Sequence, residues 1–327
     1  MKKKVFVSRE IFGEVIAFLE QHFEVESNQD DLVFEGGLLA EKLAGKDGTL
    51  ILASDRIDAA IVAACPSLKA VCNIGVGYNN IDVAACTRAG ILVTNTPEVL
   101  NDTTADMAFA LVLAAGRQIA RGDAWIRQGK WQRWRFMEWF GPDVHHATLG
   151  ILGMGRIGQA VARRAAGFDM QVIYHNRKRL PPEIETRCAA RHVSKDELLR
   201  ESDYLVLLLP YSAENHHCIG AAELAAMKPS AHLINVARGG IVDDAALVAC
   251  LQKGGIAGAA VDVFENEPTL HPGFLELENV VLTPHIGGAS RDTRLKMVRL
   301  AAENLTAALN GQPPPNLLNP DALSNRK

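Results

Sequence analysis

The stretch that decides the fold is Ala147-Thr148-Leu149-Gly150-Ile151-Leu152-Gly153-Met154-Gly155-Arg156-Ile157-Gly158-Gln159. Thr148 to Leu152 reads as a short apolar strand. Gly153, Gly155 and Gly158 give the spacing G-x-G-x-x-G, and Gln159 to Ala166 reads as a helix. In that order one glycine permits the tight turn out of the strand. A second lets a pyrophosphate approach the backbone, and a third lets helix and strand pack closely. Exposed N–H groups at the helix start attract the anion. With 27 glycines in 327 residues the spacing alone arises by chance, so its weight comes from context. It stands between a strand and a helix, and a second strand, Gln171 to His175, follows at βαβ spacing. The reading is a dinucleotide site; the alternative is a glycine turn that holds no ligand.

Upstream of this stretch the chain already alternates strand and helix. Strands are expected over Lys4–Ser8, Gly48–Ala53, Leu68–Ile74 and Ile91–Asn95, with helices over Glu10–His22 and Asp58–Ala64. Such alternation predicts a parallel sheet. Residues 75–82, Gly-Val-Gly-Tyr-Asn-Asn-Ile-Asp, directly follow a strand. The N–H groups of Val76 and Gly77 could hold a carboxylate there; an ordinary glycine turn reads the same residues equally well. A long apolar helix is expected over Asn101–Ala115, with Asn101 or Asp102 as its cap.

Residues 121–146 break the alternation and read as an irregular surface arm. They hold Trp131, Trp134 and Trp139, with Gly141-Pro142 and His145-His146. Exposed tryptophans usually seek a partner surface, so a dimer contact is expected, against the alternative of packing on the chain's own domains.

Downstream, a second series of strands is expected over Tyr204–Leu209, His232–Val236, Gly258–Val263 and Val280–Leu282. A helix over Arg291–Asn310 follows and is expected to return to the first domain. Two doubly wound α/β domains follow from this pattern, and the length agrees with two cores.

Composition narrows the classes. Hydrophobic residues make up 48% of the chain, enough for sizeable cores. A net charge of −4 with interspersed signs offers no basic face for nucleic acid or a membrane surface. Val5-Phe6-Val7 behind Met-Lys-Lys-Lys is too short for a signal segment. No apolar run approaches the length of a membrane span. The six cysteines, at 65, 72, 86, 188, 218 and 250, show no C-x-x-C spacing and read as reduced, buried thiols. The expectation is a cytoplasmic enzyme. The adjacent pairs His145-His146 and His216-His217 lack a third ligand at zinc-like spacing, so no metal is expected.

Three strand ends of the second domain carry unusual polar residues: Arg238 in Asn235-Val-Ala-Arg-Gly-Gly240, Asp262, Glu265 and Glu267 in Asp262-Val-Phe-Glu-Asn-Glu-Pro268, and His285 in Thr283-Pro-His-Ile-Gly-Gly288. Arg, Glu and His on successive strand ends can converge on one cleft. A guanidinium binds a carboxylate bidentately. A histidine donates protons near neutral pH, and a neighbouring carboxylate raises its pKa and fixes its tautomer. This is the equipment for reducing a 2-keto acid. Singly, an Arg is more often a salt-bridge partner and a His structural.

These motifs resemble the D-isomer-specific 2-hydroxyacid dehydrogenases over essentially the whole length, through Gly150–Gly158, Asn235–Asp243, Ala260–Pro268 and Leu282–Gly288. The resemblance implies a Rossmann cofactor domain, 99–286, inserted into a flavodoxin-like substrate domain, 1–98 plus 287–327, with 117–147 as a dimerisation arm. It implies Arg238, Glu267 and His285 as the catalytic set, Glu267 being singled out by Pro268. Val76 and Gly77 match the substrate-carboxylate loop, Asp262 the residue holding the nicotinamide amide, and Pro210 the loop over the adenine. Gly153, Gly155, Arg156, Ile157, Gly158, Val236, Ala237 and Thr104 complete the expected cofactor surface.

Within the family the chain looks most like the glyoxylate/hydroxypyruvate reductases, including 2-ketogluconate reductases, in which a tryptophan at the place of Trp131 reaches the partner's substrate site in a homodimer. NAD-specific enzymes end the second strand with an acidic residue; here Asn176 stands there, followed by Arg177 and Lys178, which could pair with a 2′-phosphate. NADPH preference is expected, with NADH possible; the alternative is a solvated charge run. The expected reaction is reduction of glyoxylate, hydroxypyruvate or 2-keto-D-gluconate to D-2-hydroxy acids. Other readings are an NAD-dependent dehydrogenase of another 2-hydroxy acid, or a dinucleotide-sensing corepressor-like protein on the same fold.

Overall fold

The computed structural model describes residues 2–34 and 37–325. The chain divides into two compact units, Met1–Leu100 with Ser290–Lys327, and Asn101–Ala289.

The first unit opens β1 (Lys4–Val7), α1 (Gly13–His22), β2 (Glu24–Ser27), α2 (Gly37–Leu43), β3 (Gly48–Ile51), α3 (Ala59–Ala64), β4 (Ala70–Asn73), α4 (Val83–Arg88) and β5 (Leu92–Thr94). The strands lie all parallel in the order β2-β1-β3-β4-β5, the flavodoxin-like arrangement. β3, β4 and β5 are buried along their whole length, as strands covered on both faces must be. Asp58 and Asp82 start α3 and α4 by accepting backbone N–H groups of the first turn.

The second unit begins with α5 (Asn101–Gly116) and α6 (Ile119–Arg127). It continues through β6 (Thr148–Leu152), α7 (Arg156–Ala165), β7 (Gln171–His175), α8 (Pro182–Cys188), β8 (Ala190–His192), α9 (Lys195–Glu201) and β9 (Tyr204–Leu207). α10 (Ala221–Ala226), β10 (His232–Asn235), α11 (Asp244–Gln252), β11 (Gly258–Val261) and β12 (Val280–Leu282) complete it. Its seven parallel strands run β12-β11-β10-β9-β6-β7-β8. The chain winds outward from β6 to β8, then restarts on the other side of β6 with β9. The carboxyl ends of β6 and β9 therefore flank the switch point where α/β sheets bind ligands. One apolar core joins Ala105, Ala108 and Val112 of α5 with Ala160 and Val161 of α7 and Leu149 and Ile151 of β6. The other face is closed by a core containing Leu198 of α9, Leu224 of α10 and Leu247 of α11.

The last helix, α12 (Arg291–Leu309), belongs to the first unit, where Val298, Ala302 and Leu305 share a core with Val5, Leu50 and Leu92. Ser290 caps it.

Several strands end one or two residues inside their expected bounds, and three other readings change. α7 starts at Arg156, not Gln159, because the third glycine is inside its first turn. The helix expected over Asn101–Ala115 already includes Asn101 and runs on to Gly116. The arm is not irregular throughout, since Ile119–Arg127 is helical although none of its residues is buried. Its base is tied by a hydrogen bond from Gln118 Nε2 to the Phe140 carbonyl (2.8 Å), while Trp131, Trp134, Phe136, Met137 and Phe140 stand exposed. Four cysteines are buried and Cys218 and Cys250 half-buried; all six are free thiols. Among the described residues no helix is long and apolar enough to cross a membrane, and no three His, Cys, Asp or Glu side chains gather as a metal-binding group.

Candidate active site

The registers Asn235↔Val261 and Val261↔Leu282 put the ends of β10, β11 and β12 side by side. Arg238, the 262–267 segment and the 283–287 segment leave the sheet there. Gly239 packs against the Phe264 carbonyl so closely that no Cβ fits between them, which holds the Arg238 turn against the Glu267 turn. Glu267 then closes on itself and on its neighbour. Its Oε1 accepts the Phe264 N–H at 2.8 Å, and its Oε2 lies 2.7 Å from His285 Nδ1. Burial pushes the Glu267 carboxyl up, but the bond and charge of His285, with the Phe264 N–H and the Arg238 charge, together hold the group below its usual value. Burial lowers the Arg238 guanidinium, and the Glu267 charge opposes this.

The sequence offered both Glu265 and Glu267 beside His285. The structure separates them: Glu265 bonds His217 Nε2, and Glu267 takes His285.

His285 sits at φ +52°, in the left-handed region that few side chains tolerate. Asp262 holds the backbone there from both sides. Its Oδ1 accepts the Thr283 hydroxyl (2.6 Å) and the Ile286 N–H (2.9 Å), and its Oδ2 accepts the Gly287 N–H (2.8 Å). At 1% exposure this carboxylate is part of the turn. The Thr283 hydroxyl was the missed partner; its place two residues before His285 was the available signal. Thr104 of α5, 7% exposed, lies beside Gly287.

The glycine run fits a dinucleotide on its own geometry. Gly153 has φ +102°, and a Cβ there would meet the Leu208 carbonyl carbon at 2.8 Å. A Cβ on Gly158 would meet the Gly153 oxygen at 2.8 Å. Over Gly155 there is open space, with no atom within 4 Å of a built Cβ. The backbone is thus bare where α7 presents its first N–H groups, on Arg156, Ile157 and Gly158. Asn176, just past β7, accepts the Met154 N–H at 2.7 Å and so pins the glycine turn. Arg177 meets Glu214 at 3.3 Å with both side chains exposed, and Lys178 is exposed beside it. Pro210 is exposed after β9, its carbonyl tied to Asn215, while Val236 and Ala237 are buried at the end of β10.

Val76 and Gly77 lie in the first unit, half-buried after β4. Trp131 lies in the exposed arm.

The family model of the D-isomer specific 2-hydroxyacid dehydrogenase NAD binding domain matches residues 109–287. A glyoxylate reductase of Thermococcus onnurineus is 46% identical over 100% of this chain and 99% of its own. One of Pyrococcus horikoshii is 45% identical, again over 100% and 99%. Among solved structures, an NADPH-dependent glyoxylate/hydroxypyruvate reductase of Sinorhizobium meliloti, in complex with NADP and malonate, superposes with a TM-score of 0.87 at 33% identity, covering 100% of this chain and 99% of that one. The chain therefore belongs to the D-isomer-specific 2-hydroxyacid dehydrogenases and is an NAD(P)-dependent oxidoreductase acting on a CH–OH group.

Proposed function

We propose that this chain reduces small 2-keto acids to D-2-hydroxy acids with NADPH, and that glyoxylate, hydroxypyruvate and 2-keto-D-gluconate are its substrates. The observation that carries the reading is the 2.7 Å contact between His285 Nδ1 and Glu267 Oε2 on strand ends next to that of Arg238. When bound, the reduced nicotinamide supplies a hydride to the carbonyl carbon. Arg238 holds the substrate carboxylate and carbonyl side by paired N–H donors, with the Val76 and Gly77 amides on the carboxylate. Glu267 accepts a hydrogen bond from the Nδ1–H of His285, so that the imidazolium delivers its Nε2 proton to the developing alkoxide and is left a neutral ring still bonded to Glu267. Hydride and proton together complete the CH–OH group.

Gly153, Gly155, Arg156, Ile157 and Gly158 would take the pyrophosphate. Pro210, Val236, Ala237, Asp262 and Thr104 would line the rest of the cofactor path. NADPH preference rests on Asn176 in place of a carboxylate, with Arg177 and Lys178 beside it. The Sinorhizobium relative binds NADP. The first unit serves as the substrate domain and the second as the cofactor domain of a cytoplasmic enzyme. The exposed aromatics of 117–147 meet a second copy in a homodimer, with Trp131 reaching its partner's site. Sedimentation of Trp134→Glu tests the arm: a monomer is expected, and an unchanged dimer overturns the assignment.

Steady-state assays with NADPH and NADH against glyoxylate, hydroxypyruvate, pyruvate and 2-keto-D-gluconate test the function. Faster turnover with NADPH is expected, and Asn176→Asp should reverse the preference by about tenfold or more. An unchanged ratio in Asn176→Asp removes the phosphate argument. No turnover with any pair removes the substrate assignment.

A further inference from the structure

The loop after β4 owes its outward amides to two buried asparagines. Gly75 O accepts the Thr96 N–H at 2.9 Å, Val76 O accepts from Asn95 Nδ2 at 2.8 Å, and Gly77 O accepts from Asn73 Nδ2 at 2.7 Å. Three successive carbonyls are therefore anchored inward. In a planar trans peptide the N–H points opposite to the C=O. Fixing the carbonyls of 75, 76 and 77 aims the N–H groups of Val76, Gly77 and Tyr78 the other way. None of these three N–H groups has a partner among the described residues. Asn73, 0% exposed, ends β4, and Asn95, 7% exposed, follows β5. The register Cys72↔Thr94 brings the two together under the loop.

We infer that Asn73 and Asn95 are positioning residues for the substrate carboxylate, and that the Tyr78 amide is a third donor beside those of Val76 and Gly77. The inference rests on the reading of this loop as the carboxylate site. Each asparagine acts at one remove. Asn95 turns the Val76–Gly77 peptide and so aims the Gly77 N–H; Asn73 turns the Gly77–Tyr78 peptide and so aims the Tyr78 N–H. Three converging N–H dipoles form a concave anion nest, and without the anchors each peptide is free to rotate.

The test is the kinetics of Asn95→Leu in the whole enzyme, with Asn95→Ser, too short to reach Val76 O, as a second variant should the first not fold. The expected result is a KM for the 2-keto acid, and a Ki for oxalate as a carboxylate probe, raised about tenfold, the loss of one hydrogen bond's worth of binding. The value of kcat should stay within about twofold and the KM for the cofactor should not move, because uniform substrate binding alone is lost. Unchanged KM and Ki, or a fall in kcat together with cofactor affinity, overturns the positioning role. The loop itself is read separately in wild-type enzyme labelled with 15N-glycine. If the Gly77 amide resonance, assigned through Gly77→Ala, shifts on adding oxalate while Asn95→Leu is silent, the loop holds carboxylate without its anchor and the inference falls alone. If the resonance does not shift, the loop reading falls and takes the inference with it.

Discussion

The two glycine loops, Gly75–Gly77 after β4 and Gly153–Gly158 after β6, are shaped by opposite means. After β6 the glycines themselves make the shape: Gly153 occupies a left-handed conformation against the Leu208 backbone, and Gly158 leaves room for the Gly153 oxygen. There an asparagine, Asn176, consumes one N–H, that of Met154. After β4 the shape comes from asparagines outside the loop, because Asn73 and Asn95 donate to its carbonyls, while the Val76 and Gly77 N–H groups have no partner among the described residues. One loop is written into its own glycines, the other into two asparagines outside it, Asn73 at the end of the strand it leaves and Asn95 past the neighbouring one.

That contrast breaks or holds under substitution. Gly153→Ala should have the largest effect, because both φ and the fixed backbone of Leu208 resist a Cβ. Thermal or denaturant unfolding should show a loss of about 3 kcal/mol or more, and cofactor binding should be lost. Its control is Gly155→Ala, where φ is −80° and space is open. Stability should hold while cofactor affinity, read by fluorescence of the reduced nicotinamide, falls roughly tenfold because the methyl group occupies the phosphate's approach. Equal unfolding losses in the two variants would refute the distinction between them. Gly75→Ala should be the mildest. Its Cβ would lie 3.3 Å from Asn73 Nδ2, a side-chain atom that can yield by a few tenths of an ångström. Stability should change by less than about 1 kcal/mol. The KM for the 2-keto acid should rise roughly threefold as the Asn73 anchor is pushed off Gly77 O. A stability loss as large as that of Gly153→Ala would mean that the two loops are built alike after all.

The same contrast explains what could be read without coordinates. Strands Thr148–Leu152, Gln171–His175 and Val280–Leu282 appear where the apolar runs put them. The G-x-G-x-x-G turn was legible because its causes are local and its residue type is unmistakable. A carboxylate near His285 was expected from polar residues rare at strand ends, but only the resemblance, through Pro268, singled out Glu267 over Glu265, and the two side chains do lie 2.7 Å apart. β2, with sequence Glu-Val-Glu-Ser, carries one apolar residue at a sheet edge and gave no signal. α6 was missed because its apolar residues Ile119 and Ile126 face out and mark no buried stripe. The Asn73–Asn95 pair was invisible for a different reason. The two residues stand far apart in the chain and meet only through the β4–β5 register, which no local pattern encodes.

The φ of His285 bears on the proton-donor role proposed for it. Among side chains, those that accept a left-handed backbone readily are chiefly Asn, Asp and His. A lysine or tyrosine placed there would be opposed by the turn before its acidity was ever tested, since Asp262 fixes that turn from both flanks. Of the tolerated few, only histidine gives up a proton near neutral pH while its other nitrogen is held by a carboxylate. The backbone has thus already narrowed which residues could fill the proposed role, and the fair test of that role is His285→Asn, which removes the ionisable ring and keeps the turn.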